Sequence, residues 1–252
     1  WHPEWNSAPP PPAPSAQRED ETFIQQMTAL NIDPAQVMSA DSAERPGTSD
    51  YALENRFVSN TLAAVSQFNA ALFATPSLTP LQRHDLALAR LKLFYGANIT
   101  AVADILNSFP ADADADLFAY YLSGIAHFYG GNYTAATHDF TLLLESQQPW
   151  LTETAQYMLM RTALNKSSQN SVGQYGDFDI ARINRDDAAQ AQNEAQAYLQ
   201  RWPAGLYADS ARNMLRRINW YLQAWPQLAG LYEQAFRQAA DAGDLRRLVS
   251  EY

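Results

Sequence analysis

Two stretches of this 252-residue chain, 34 residues apart, are nearly the same. Phe94-Tyr95-Gly96-Ala97-Asn98-Ile99-Thr100-Ala101-Val102 and Phe128-Tyr129-Gly130-Gly131-Asn132-Tyr133-Thr134-Ala135-Ala136 are identical at six of nine positions, and Leu106 and Phe140 keep the same offset. Such a repeat restricts the fold more than composition does. Each copy must be one supersecondary unit that cannot bury its apolar face alone and so needs neighbours. The surrounding spacing is helical. Leu53, Phe57, Thr61, Ala64, Val65, Phe68 and Leu72 recur every three or four residues, which predicts a helix of about six turns. Thr75-Pro76 closes it, since proline disfavours helical backbone in the residue before it. Thr79-Pro80-Leu81-Gln82 is a capping box with proline at the first helical position. Turn signals follow at Gly96-Ala97-Asn98, Pro110, Gly130-Gly131-Asn132, Pro149, Pro203 and Pro226. No run alternates as a strand would, so the chain reads as all-α.

Within 117–150, Tyr120, Gly124, Gly131, Tyr133, Ala136 and Phe140 follow an aromatic, Gly, Gly, aromatic, Ala, aromatic order. This resembles the tetratricopeptide repeat, with departures at Ser123 and His127, where Leu and Tyr are usual, and with its proline displaced to Pro149. The copy at 83–116 is more degenerate, keeping Leu86, Ala97, Ile99, Val102 and Leu106. A third copy starts at Trp150 and its first helix runs to about Asn165. An inserted polar loop at 166–184 interrupts it, and a helix restarts near Arg185. That insertion reads either as a mobile loop or as a binding element. The resemblance implies an α-solenoid of about five helix pairs over 79–252. A second resemblance lies in Tyr198-Leu199, Trp202-Pro203, Gly205, Tyr207-Ala208 and Ala211. These are similar to the motif joining helices in tetratricopeptide lipoproteins of the bacterial outer-membrane β-barrel assembly machinery. Trp202 stands where Tyr is typical and Gly205 where Ser is. On this reading Pro203 stops a helix and Gly205 relaxes the turn. Over roughly residues 80–240 the resemblance implies a periplasmic or outer-membrane-associated role in envelope assembly.

Ahead of the repeats, residues 1–20 form a Pro-rich tether with Trp1 and Trp5 at its front, either an extended tail or one that docks on the body or a partner. Residues 21–78 are an N-terminal helical segment whose first helix covers 21–30. Towards the C-terminus, Leu215, Ile218, Leu222 and Trp225 make one stripe, and Leu228, Leu231, Tyr232, Ala235, Phe236 and Ala239 the next. The stretch 244–249 begins a further helix, so the array reads as ending on an unpaired helix or at a boundary. The start at Trp1, without Met, reads as a processed or cut precursor.

Composition removes whole classes of chemistry. The chain has no cysteine, hence no disulfide, iron–sulfur cluster, thiolate zinc site or cysteine nucleophile. Seventeen basic against 27 acidic residues give a net charge of −10, the wrong sign for a nucleic-acid partner. No apolar run is long enough for a transmembrane segment, which leaves a lipid anchor or a partner as routes to a membrane.

Transferring the family's groove positions gives His84, Ala87, Leu91, Phe94 and Tyr95 from the first copy and Phe118, Tyr121, Ile125, Phe128 and Tyr129 from the second. Of these, Phe94, Tyr95, Phe118, Tyr121, Ile125, Phe128 and Tyr129 form the candidate partner-binding groove, able to stack on a peptide. The competing expectation is that they bury against the N-terminal helices. Ala87 and Tyr121 occupy the positions where a carboxylate clamp would need Lys, Arg or Asn, so that subtype is rejected. His127 and His138 are read as packing residues rather than metal ligands. Asp112, Asp114 and Asp116 suit a helix N-terminus rather than a calcium loop, lacking the required Gly and Glu. Asn98, Asn132 and Asn165 match a glycosylation pattern; the first two lie in repeat turns, where asparagine suits the backbone, and read as coincidence. No catalytic constellation, cofactor loop or metal site is recognised. The expected function is a non-catalytic scaffold for protein or peptide partners in the bacterial envelope. The alternatives are a docking module of a larger envelope enzyme or secretion apparatus, and an all-α glycan-active enzyme.

Overall fold

The computed structural model describes residues 14–36, 61–96, 98–108, 113–172, 177–239 and 248. Among these residues the regular structure is helical and no strand occurs, the single exception being an isolated antiparallel bridge between Val172 and Phe178. The chain divides into two units, 1–116 and 117–252.

In the first unit, helix α1 (Pro14–Ala29) starts seven residues before the expected Glu21. Proline's fixed φ already matches the first helical position, so 14–20 belong to the helix and not to the tether. Residues 1–13, like Leu53 and Phe57, lie outside the described set. Phe23 and Met27 form the buried face of α1, Leu30 just past its end is buried too, and Asn31, at φ 57°, reverses the chain. Helix α2 (Leu62–Phe73) is capped by Thr61, whose hydroxyl accepts from the Ala64 N–H at 3.2 Å. It buries Val65, Phe68 and Leu72 and packs against α1. Arg83 finishes α2 by donating to the carbonyls of Leu72 (3.2 Å) and Thr75 (2.9 Å), a favourable place for a cation. Helix α3 (Pro80–Phe94) opens with the expected box. Thr79 Oγ1 accepts from Gln82 N at 3.2 Å, while Gln82 Oε1 accepts from Thr79 N at 2.8 Å. Helix α4 (Ile99–Leu106) packs back on α3.

Helix α5 (Ala113–Tyr129) begins in the first unit and lies mostly in the second. Helix α6 (Tyr133–Thr141) packs on it through Phe140, whose ring meets Tyr121 at 6.3 Å and occupies the space above Gly124. Helix α7 (Pro149–Ser168) is the buried centre. It hides Leu151, Ala155, Met158, Leu159, Thr162 and Leu164, among others, between α6 and α8 (Arg185–Arg201). Ala188, Ala191 and Ala195 give α8 a face of small buried residues, and that lets it approach α7 closely. A 3-10 turn (Ile180–Arg182) precedes α8. The described part of the insertion is tied down. Asp179 N donates to Ser171 O at 2.8 Å, Asn184 N to Ser167 O at 2.9 Å, and Phe178 stacks on Trp220 at 5.2 Å.

The link from α8 to α9 (Ala208–Tyr221) is fixed by a carboxylate on α7. Glu153 Oε1 accepts from Tyr198 Oη at 2.7 Å and from Leu206 N at 2.6 Å, and Tyr198 Oη accepts from Tyr207 N at 2.8 Å. Burial, then the neighbouring Glu153, pushes the Tyr198 hydroxyl well above the usual phenol range; burial does the same to Tyr207. Gly205 has a role different from the one expected. It does not relax a strained turn. A Cβ there would run into Glu153 Oε1 and lie 2.8 Å from Tyr198 Oη, so glycine is needed for close approach. Helix α10 (Trp225–Gln238) packs on α9, and none of its residues is buried.

Candidate functional site

The seven groove candidates do not form one exposed surface. Phe118, Tyr121, Ile125 and Phe128 are buried. Tyr121 packs edge-on against Trp150 at 5.0 Å, and Phe128 against Tyr129 at 5.4 Å and Tyr133 at 5.9 Å, with the Arg161 guanidinium 5.2 Å from its centroid. These four are core side chains, which corrects the groove assignment. Helical spacing marks an apolar side but does not say whether a neighbour covers it. Phe94, Tyr95 and Tyr129 keep partial exposure, and Phe94 and Tyr95 pair edge-on at 5.0 Å. His84 Nδ1 donates to Leu30 O at 2.8 Å, a tie from α3 to the end of α1, while Ala87 and Leu91 are buried.

The two departures from the repeat pattern meet at one carboxylate. Ser123 Oγ donates to Asp139 Oδ2 at 2.6 Å, and His127 Nδ1 contacts the same oxygen at 2.9 Å. His138 Nδ1 sits 3.3 Å from Oδ1. A carboxylate only accepts, so Nδ1 of His127 carries the proton in this contact. The side chain of Asp139 is 10% exposed and that of His127 26%. A nucleophile relay would place the imidazole between hydroxyl and carboxylate, one nitrogen to each. Here hydroxyl and imidazole converge on one oxygen, and the Ser123 proton goes to the acid. The arrangement orients His127 and clasps α5 to α6. Asp139 is the residue that joins the two departures. Its signal was available, since it replaces the apolar Ile105 at the repeat offset.

The remaining single-residue expectations resolve as helix-end chemistry. Asn98 Oδ1 accepts from Ala101 N at 3.0 Å and Asn132 Oδ1 from Ala135 N at 3.3 Å, so both are N-caps. Asn165 lies inside α7, donating to Arg161 O at 2.8 Å. Asp114 and Asp116 sit in the first turn of α5, where Ser77 Oγ donates to Asp114; Asp112 lies outside the described residues. Among the described residues no helix is long and apolar enough to cross a membrane, and no group of three or more His, Asp or Glu side chains is placed to hold a metal ion.

The surface open to a ligand lies at the C-terminal helices. Leu228, Leu231, Tyr232 and Ala235 of α10 are half-exposed, while Trp225 and Phe236 are 55% and 40% exposed. Beside this stripe, α8, α9 and α10 border a shallow, open depression of about 320 Å³ lined by Gln192, Gln196, Leu215, Asn219, Gln227, Gly230 and Leu231. No motif or spacing in the sequence marks these amides as a surface. Comparison with protein-family models, curated proteins and solved structures found no match.

Proposed function

We propose that the chain is a non-catalytic helical-repeat adaptor that holds a protein partner on its C-terminal helices. The carrying observation is α10. Its apolar residues recur at 225, 228, 232, 235 and 236, one helical face, and none is buried. A face of this kind marks an interaction site. The tetratricopeptide reading of the 34-residue period supports a solenoid, and the hairpin clasp at Asp139 supports a structural rather than a nucleophilic role for Ser123 and His127. Placement in the bacterial envelope rests on the Tyr198–Ala211 resemblance, as does the alternative of a docking module within a larger envelope assembly.

The test is the double variant Trp225→Ser with Phe236→Ser. Both side chains are exposed, so helicity and melting should hold while capture of envelope partners by cross-linking falls to background. An unchanged partner set with unchanged melting would overturn the assignment of this face.

A further inference from the structure

We propose that the edge formed by the α8–α9 link and the C-terminal end of α10 seats on an anionic lipid surface. This goes beyond the adaptor function, whose other exposed ring, Trp225, lies at the opposite end of α10. Helix α10 returns beside α9 after a short turn in which Gln223 takes φ 54°. Across the pair, Arg216 Cζ lies 5.6 Å from the centroid of the Tyr232 ring. One helical turn further along each of these opposed helices puts Arg212 level with Phe236. The α8–α9 link runs straight into α9, and Arg212 donates back to Pro203 O. The link and the end of α10 therefore share one edge.

Two features of that edge point to a bilayer. The first is apolar. Leu206 is 58% exposed, Phe236 is exposed as well, and Trp202 is half-exposed with the Arg201 guanidinium 4.5 Å from its ring centroid. A lone exposed leucine needs no explanation, but this one is held out rigidly. Its N–H donates to Glu153 Oε1 at 2.6 Å, and Gly205 beside it leaves room for that carboxylate. A preformed apolar tip enters an interface without the entropic cost of ordering its backbone. The second feature is charge. Residues 201–238 hold five arginines and two acids, while the rest of the chain sums to −13. Arg201, Arg212 and Arg237 are exposed at the edge. Asp209 and Glu233 form exposed ion pairs with Arg212 and Arg237. Such pairs are worth little in water, so lipid phosphate can replace the carboxylates. Glu153 turns inward, onto Tyr198 Oη and Leu206 N. Asp186 and Asp187 open the far end of α8, about 20 Å along the helix and beyond the ~8 Å Debye length at physiological salt. An anionic surface therefore meets arginine here although the whole chain carries −10. Leucine, tryptophan and phenylalanine flanked by arginine suit the headgroup level of a bilayer.

The test is co-sedimentation of the full 252-residue chain with vesicles of equimolar phosphatidylglycerol and phosphatidylcholine. Binding should appear at low salt and weaken as added salt screens the arginines. On phosphatidylcholine alone it should be weaker by at least about tenfold. Leu206→Ser should weaken binding to the anionic vesicles by about tenfold, and the double variant Arg201→Gln with Arg237→Gln by about as much. These side chains are exposed, so melting should stay at the wild-type value. Leu206→Trp should tighten binding, a gain that misfolding cannot produce. Trp225→Ser, which removes an adaptor-face ring at the other end of α10, should leave vesicle binding unchanged. Failure of the vesicle reading and failure of the adaptor reading are thereby told apart. No binding to anionic vesicles, equal binding to both compositions, unchanged binding by Leu206→Ser, or loss of binding by Trp225→Ser would overturn the proposal. Binding to soluble polyglutamate as tight as to vesicles would also overturn it, making the edge a site for an acidic protein segment.

Discussion

The hairpin of α3 and α4 and the hairpin of α5 and α6 share their turn sequence, yet they differ where the chain reverses and in what their helices place between them. In the first, Gly96 takes the left-handed conformation at φ 100°; in the second it is Gly131, at φ 74°, one position later in the repeat. The later reversal lets Asn132 N reach back to His127 O at 2.9 Å and Gly131 N to Phe128 O at 3.1 Å, the double closure of a Schellman motif. Inside the hairpins, Ala89, Leu93 and Ile105 of the first copy are replaced at the 34-residue offset by Ser123, His127 and Asp139. Arg90 and Leu106 are likewise replaced by Gly124 and Phe140. An apolar set has become a hydrogen-bonded set, and volume has moved from one helix to the other. Repetition of sequence thus preserves the elements and the turn chemistry while the layer between helices changes by groups of residues. Changing a member alone is the way to expose that coupling.

The volume exchange predicts the largest single effect. A Cβ at residue 124 would lie 2.7 Å from Phe140 Cε1, on a buried ring with little room to move. Gly124→Ala should cost about 2 kcal/mol in chemical unfolding. Adding Phe140→Leu, the residue type of the first copy, should recover at least half of that loss. No recovery would show that the two positions are not coupled.

The polar set predicts an asymmetry of nearly the same size. Asp139→Ala leaves the Ser123 hydroxyl and the His127 ring without their shared acceptor, a loss of about 1–3 kcal/mol. Replacing all three by their first-copy counterparts, Ser123→Ala with His127→Leu and Asp139→Ile, removes donors and acceptor together. That variant should match or exceed the wild type in unfolding midpoint. A triple variant weaker than Asp139→Ala would show that the clasp supplies net stability beyond its own satisfaction.

Features decided within a few residues were legible in the sequence. The all-helical character, the Thr79–Gln82 box, the break at Gly131, the break at Pro149 and the restart at Arg185 depend on caps, glycine and proline. These act locally, and the structure has each of them in place. Longer-range facts were not. Tyr121 and Phe128 look equally apolar whether they face a partner or the protein interior, and only the placement of Trp150 and Arg161 decides. Asp139 has meaning only once α6 folds onto α5. Gly205 looked like a turn residue because the carboxylate it accommodates, Glu153, lies more than fifty residues earlier. The open stripe of α10 looked like any buried one, since periodicity carries no information about what covers a face.

The smallest predicted effect tests what the two copies have in common. Both turns end in an asparagine whose side chain accepts from the N–H three residues on, at 3.0 Å from Asn98 and 3.3 Å from Asn132. Asn98→Ala and Asn132→Ala should each cost about 1 kcal/mol, while Asn→Asp at either position should be tolerated, because aspartate caps as well and favours the positive helix end. The loss should be read locally as faster hydrogen exchange at the Ala101 and Ala135 amides. Helix α4 has eight residues and buries only Val102, whereas α6 also anchors Phe140 and Asp139. Exchange at Ala101 should therefore quicken more than at Ala135. Equal effects would mean that the cap, rather than the packing behind it, sets the stability of both first turns.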